Sequence, residues 1–198
     1  MPDFIYSADI TAGSLKLRES RLIAGLLLDS VSDDDFRKEI VERNVLQARS
    51  PATAIRLARL IKSRLVGFDS ELWRIVRDGE KALATQALLA AAMKHSALLC
   101  DFIDLCLRDE YRLLHTELSK SLWPAFLLGC AARDPAVSKW SESTRRRLRS
   151  SVFDILAQAG FLSDTRKRHL QHFVLLPELR SYLAARSNYK LLNCLQLP

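Results

Sequence analysis

Glycine and proline are scarce in this chain, with six of each among 198 residues. Sandwiches and barrels need turn residues at short intervals, so this scarcity argues against them. The abundance of Leu, Ala, Arg, Glu and Lys argues for a mainly α fold. Long apolar runs are missing as well. The best candidates, Leu22–Leu28 and Ala82–Met93, fall well short of the roughly 20 residues a membrane-spanning helix requires. Four cysteines (Cys100, Cys106, Cys130 and Cys194) lack the close-paired spacing of a zinc site, and no secretory signal precedes them. They are expected to be buried thiols of a cytoplasmic protein. Phosphate-cradling glycine loops, nucleophile elbows and HExxH motifs are absent, so the sequence indicates neither an enzyme nor a cofactor. His169 and His172 stand where a strand would point them to opposite faces, which argues against a metal.

Acidic residues are missing unevenly. Residues 44–67 hold five basic and no acidic residues, and 140–198 hold ten basic and four acidic; 1–43 hold six and nine, and 68–139 nine and ten. The net charge of +7 therefore resides in two segments. Clustered cations are the footprint of a polyanion binder, although solvated helix faces also collect arginine.

Residues 1–67 read as a helix-turn-helix-like region. An extended or irregular lead-in over 1–13 should give way to a helix over Leu15–Asp29. A second helix, capped by Ser32 and started by Asp33, Asp34 and Asp35, should fade near Asn44. A third begins with Ser50 as cap and Pro51 at the first helical position, and runs to Leu65. At 100° per residue, Ala54, Leu57, Ala58, Ile61 and Leu65 share one face. Arg56 and Arg59 project opposite, with Lys62 and Arg64 flanking the stripe. In a helix-turn-helix the start of such a helix enters the major groove, which would bring Arg49, Thr53 and Arg56 to bases or phosphates. An ordinary amphipathic helix in a bundle is the plainer alternative.

Residues 68–134 read as a helical scaffold: a short helix capped by Ser70, a Thr85–Leu99 helix buried on several sides, an Asp101–Tyr111 helix, and a Leu118–Ala131 helix with Pro124 early in it or kinking it. Asp134-Pro135 offers a boundary. Residues 135–198 read as a winged-helix-like unit with a short β-hairpin. Its helix is capped by Ser141, Ser143 or Thr144, opens with Arg145, Arg146, Arg147 and Arg149, buries Leu148, Val152, Ile155, Leu156 and Ala159, and ends at Gly160. Cations at a helix N-terminus oppose the macrodipole by about 0.3–1 kcal/mol each, and an anionic partner would compensate. Phe161–Ser163 and Leu170–Leu176 would be the strands of the wing, with Arg166, Lys167 and Arg168 at its tip against the phosphate backbone. A solvated basic loop is again the plainer reading.

Several collinear segments, Tyr6-Ser-Ala-Asp-Ile-Thr-Ala-Gly-Ser-Leu-Lys-Leu, Asn44-Val-Leu-Gln with Arg49-Ser-Pro-Ala-Thr-Ala, Leu72-Trp-Arg, Ala84-Thr-Gln-Ala-Leu-Leu-Ala-Ala-Ala and Trp140-Ser-Glu-Ser-Thr, together resemble the small BrxA family of bacterial BREX phage-defence systems. That resemblance implies a non-enzymatic accessory protein acting beside a DNA methyltransferase, an ATPase, a phosphatase-like protein and a Lon-like protease. It also implies a likeness to an RNA-binding antitermination factor, and an inner-membrane label that the hydropathy here opposes. It carries no established site residues.

Charge and resemblance together lead to an expected function: a cytoplasmic accessory protein that binds double-stranded DNA mainly through phosphates. The candidate DNA-binding residues are Arg49, Thr53, Arg56, Arg59, Lys62, Arg145, Arg146, Arg147, Arg149, Arg166, Lys167 and Arg168. RNA binding and protein–protein adaptation within the defence complex are the rival expectations.

Overall fold

A computed structural model describes residues 5–197, without the side chains of Thr11 and Ala12. The first four residues of the expected lead-in lie outside the described residues. The protein is mainly helical, and its contacts divide it into two compact units, residues 15–95 and residues 5–14 with 96–197.

In the unit of residues 15–95, α1 (Leu17–Leu28), α2 (Asp33–Val41), α3 (Pro51–Leu65), α4 (Ser70–Asp78) and α5 (Lys81–His95) follow in order. Local chemistry sets their starts. The Ser32 Oγ accepts from the Asp35 N–H at 3.1 Å, and the Ser50 Oγ accepts from the Thr53 N–H at 3.3 Å. At α4 the cap is Asp69, one residue earlier than the expected Ser70, because its carboxylate accepts from both the Glu71 and Leu72 N–H groups. Every side chain from Ala87 to Met93 is buried, as an all-round apolar helix requires. This helix starts at Lys81 and stops at His95, since Ser96 caps a new helix through the Leu99 N–H. α5 packs on α1, α3 and α4, and α2 packs on α3.

In the other unit, a helix running from Ala97 to Arg112 changes pitch midway. α6 (Ala97–Asp101) passes through a π-helical segment, Phe102–Leu107, into α7 (Arg108–Arg112). α8 (Leu122–Arg133) carries Pro124 in its first turn, where the missing N–H costs nothing. A 3₁₀ turn, Pro135–Lys139, leads into α9 (Glu142–Ala159), and α10 (Pro177–Ala185) and α11 (Tyr189–Leu195) close the chain. Phe102 is the hub of the core, with the rings of Trp123, Phe126 and Phe153 at 5.5, 5.1 and 6.1 Å between centroids.

The expected hairpin segments meet through a single bridge, and no longer ladder forms among the described residues. Leu162 pairs with Leu170 and Glu117 with His169, both antiparallel. The Ser163 N–H donates to the His169 carbonyl and the Gln171 N–H to that of Phe161, each at 2.9 Å. Residues 168–170 are also bonded to 116–118, through Leu118 N–H to the Arg168 carbonyl at 3.1 Å and Leu170 N–H to the Thr116 carbonyl at 2.9 Å.

Asp134 fastens the N-terminal segment to this unit. Buried at 4 % exposure, its Oδ2 accepts from the Ile5 and Tyr6 N–H groups at 2.9 and 3.0 Å, and its Oδ1 from the Ala136 N–H at 3.0 Å. These bonds, the one from Tyr6 foremost, hold the carboxyl below its usual pKa. A carboxyl depressed in the folded state stabilises above its unfolded pKa of about 3.9, and that contribution is lost as pH falls through the folded value. Asp134→Asn is expected to lower the melting temperature at neutral pH. It should also flatten the acid limb of a plot of melting temperature against pH; an acid limb identical to the wild type would relocate that proton uptake to other carboxylates.

Candidate nucleic-acid interface

α9 is built as a one-sided helix. Ser141 caps it by accepting from the Thr144 N–H at 3.2 Å, and Gly160 ends it at φ +88, a left-handed conformation suited to glycine. Leu148, Val152, Ile155 and Leu156 are fully buried. At about 1.5–3 kcal/mol for each buried side chain, they outweigh any dipole cost on the opposite face. That cost is itself smaller than the sequence suggested. The first turn begins with Glu142, so Arg146, Arg147 and Arg149 fall beyond the turn in which the dipole is felt.

Two clefts flank the exposed face of α9. The larger, about 340 Å³, has an apolar wall from α8, including Trp123, Pro124, Leu127 and Leu128, and a charged wall of Glu142, Arg145, Arg146 and Arg149. The Arg145 Nη2 donates to the Ser138 carbonyl at 3.0 Å, tying that guanidinium to the 3₁₀ turn. The smaller cleft, about 260 Å³, is lined by Arg146, Arg149, Ser150, Phe153, Thr165 and Arg168. Arg146 and Arg149 border both clefts and so stand on the ridge between them. Arg146 is exposed and only loosely paired, its Nε 3.7 Å from Glu142. Arg147 is exposed and lines neither cleft.

The turn after Gly160 separates its three cations. The Asp164 Oδ1 accepts from the Arg166 and Lys167 N–H groups at 2.7 and 2.6 Å, which holds this carboxyl below its usual pKa and closes the turn. Arg166 and Lys167 are exposed at the tip. Arg168 is buried at 8 % exposure, with φ +57 and its guanidinium 5.9 Å from the centre of the Phe153 ring. Sequence reasoning placed all three at one tip; the structure places the third inside the cleft. Sequence reasoning set Ser150 on the outward face with Arg146 but counted neither it nor Thr165 among the site residues, and both line the smaller cleft with the arginines. The only available signal was that Ser150 lies one helical turn beyond Arg146.

In the other unit, α2 and α3 form a groove of about 220 Å³ lined by Phe36, Arg37, Ile40, Ile55, Arg59 and Lys62, among others. Arg59 and Lys62 were expected here, but Arg37 was not. Arg49 and Arg56 are exposed and do not line the groove, and Thr53 is half-buried beside the cap, its Oγ1 3.0 Å from the Ser50 Oγ. The cations of α3 lack acids in their own segment, yet α2 supplies one. The Lys62 Nζ lies 3.0 Å from Asp33 and 4.6 Å from the centre of the Phe36 ring. Arg64, expected to flank the apolar stripe, is buried. The link between the two helices covers residues 42–50, longer than the three or four residues of a helix-turn-helix turn.

Among the described residues no helix is long and apolar enough to cross a membrane, and no cluster of His, Cys, Asp and Glu could hold a metal. The fold therefore defines a class: a mainly helical protein of two compact units, with arginine-lined clefts beside α9. The sequence profile described as BrxA matches residues 5–187, and the chain belongs to the BrxA family. It is 43 % identical over 192 residues to "BREX protein BrxA" of Paramagnetospirillum magneticum, covering 97 % of this chain and 96 % of that one. To the protein of the same name from Escherichia coli it is 32 % identical, covering 98 % and 91 %. A crystal structure of an uncharacterized protein from Magnetospirillum magneticum superposes with a TM-score of 0.88 at 40 % identity, over 98 % of this chain and 99 % of that chain.

Proposed function

We propose that this protein is a non-enzymatic accessory component of a BREX phage-defence system that binds double-stranded DNA in the cytoplasm. The observation that carries the reading is the convergence of Arg146, Arg149 and Arg168 on one cleft that no carboxylate lines. Guanidinium forks match phosphate oxygens bidentately, and the neighbouring Ser150 and Thr165 hydroxyls are ordinary phosphate ligands in duplex complexes. α9, Gly160 and the bridged segments around the 164–168 turn form the winged-helix-like element of this reading, with Arg166 and Lys167 at the wing tip. Arg147 would serve on the same outer face. α2 and α3 would add a second contact surface, in which Arg49, Thr53, Arg56, Arg59 and Lys62 supply further contacts. Phosphate contacts dominate, so sequence preference is weak.

The test is a gel shift of the full chain across a salt series, with duplex DNA, single-stranded DNA and structured RNA side by side. If about five phosphates are neutralised, log K falls against log salt with a slope of roughly −4 to −5. No affinity for duplex at low salt, or an affinity indifferent to salt, overturns the reading, and a clear preference for RNA replaces it with the antitermination-like one.

A second reading has its own observation. The larger cleft opposes apolar α8 side chains, with Leu128 at 74 % exposure, to Arg145 and Arg146. That combination suits an acidic amphipathic segment of another defence component, such as the methyltransferase, ATPase, phosphatase-like protein or Lon-like protease, and an adaptor role can coexist with DNA binding. Partners retained in a pull-down after nuclease treatment support it, and partners that vanish were bridged by nucleic acid.

A further inference from the structure

Arg168 occupies a position that a merely structural arginine would not hold. It is 8 % exposed, and its Nη1 is buried without a hydrogen-bond partner. A buried cation left in this state is unfavourable until a counter-charge reaches it. The chain nevertheless fixes it there in three ways. The backbone at Arg168 is left-handed, at φ +57. Its N–H donates to the Asp164 carbonyl at 3.2 Å, and its carbonyl accepts from the Leu118 N–H at 3.1 Å. Its guanidinium packs 5.9 Å from the centre of the Phe153 ring, and the Arg149 guanidinium lies at the same distance from that ring.

No acid lines the smaller cleft. One Asp164 carboxylate oxygen closes the turn on the Arg166 and Lys167 N–H groups, and Glu142 lines the larger cleft beside α8. The smaller cleft thus has three guanidinium groups, two hydroxyls and no anion of its own. Its roughly 260 Å³ is ample for one oxyanion with attendant water, since each water takes about 30 Å³.

We infer that this cleft seats a single phosphate group, held by Arg149 and Arg168 and completed by Arg146, Ser150 and Thr165. Two sources share that chemistry: a free phosphate, and a backbone phosphate of a bound duplex. Only the second rests on the DNA-binding reading.

The first arm of the test melts the full chain in inorganic phosphate and in sodium chloride of equal ionic strength. Phosphate should raise the melting temperature saturably above the chloride value. Arg149→Gln and Arg168→Gln should each weaken the phosphate affinity by about tenfold, while Arg112→Gln, at an exposed arginine that lines neither cleft, leaves it unchanged. Without phosphate, Arg168→Gln should melt no lower than the wild type, because it removes a buried cation whose Nη1 has no hydrogen-bond partner; a purely structural arginine would lower it. A wild-type response equal to that in chloride, or one that survives both cleft variants undiminished, overturns the inference.

The second arm titrates a short duplex lacking terminal phosphates. If the cleft takes a backbone phosphate, Arg149→Gln and Arg168→Gln each reduce the steepness of the salt slope by about one. An unchanged slope beside a reduced phosphate affinity assigns the seat to free phosphate. Wild-type protein that binds phosphate but no duplex retains the seat and ends the DNA reading alone.

Discussion

Arg146→Glu combined with Arg149→Glu is expected to weaken duplex binding by about a hundredfold or more at low salt. Charge-assisted hydrogen bonds contribute about 1.5–3 kcal/mol each, so losing two exceeds the ~2.7 kcal/mol that a hundredfold represents. Two acids facing phosphate add repulsion beyond that. Losing the one phosphate that both arginines contact also makes the salt slope shallower by about one. The fold should survive. Arg146 is 72 % exposed in its side chain, Arg149 is exposed, and the buried stripe of α9 lies on the opposite face.

What the pair contributes to stability is small. The 3.7 Å contact between Arg146 and Glu142 is fully solvated, a type of pair worth about 0–1 kcal/mol. Replacing it with two glutamates four residues apart adds a few tenths of a kcal/mol of repulsion, roughly 0.2–0.5. Arg147→Glu, on the same helix but outside both clefts, is the control and should weaken binding far less. A double variant with a native melting curve, unchanged affinity and unchanged salt slope would remove α9 from the interface.

The contrast between Arg146 and Arg168 shows where local sequence is informative. α9 could be read almost completely from the chain. Ser141 and Gly160 mark its ends, and a 3.6-residue period separates Leu148, Val152, Ile155 and Leu156 from Arg146 and Ser150, a separation the structure reproduces. Helix ends and faces are local properties, set by caps and spacing within a few residues.

Arg168 could not be read in the same way. An Arg-Lys-Arg run looks like one solvated tip, but burial of its third member depends on Leu118 and Phe153, distant in sequence. The same limit explains Lys62. Its segment has no acid, yet Asp33 reaches it once α2 packs on α3. It also explains Asp134, which was visible only as a chain break before Pro135 but bonds to backbone 128 and 129 residues away. α11 was not anticipated at all; Asn188 stands at its N-cap, but its side chain makes no cap bond and the helix has only seven residues.

The clefts beside α9 depend on the core beneath them, and Phe102→Ala is expected to destabilise that unit by about 3–5 kcal/mol. Phe102 has no exposed surface and touches three other aromatic rings. It also sits at the start of the π-helical segment, where i→i+5 bonding already departs from the regular ladder. Its removal opens a cavity whose walls belong to three elements, none of which can close it alone without unseating the others. For a domain of this size, each kcal/mol lowers the melting temperature by roughly 2–4 °C, giving a drop of about 6–20 °C.

Fluorescence can follow this unit separately. In a Trp73→Phe background the remaining tryptophans, Trp123 and Trp140, both lie outside residues 15–95. Phe102→Leu keeps most of the volume and should lose under about half as much. Because the Phe102 ring packs against Phe153, whose ring in turn lies near Arg149 and Arg168, the alanine variant should also weaken binding at temperatures where it remains folded. If Phe102→Ala melts within about 2 °C of the parent, the aromatic cluster is not what holds α9 in place.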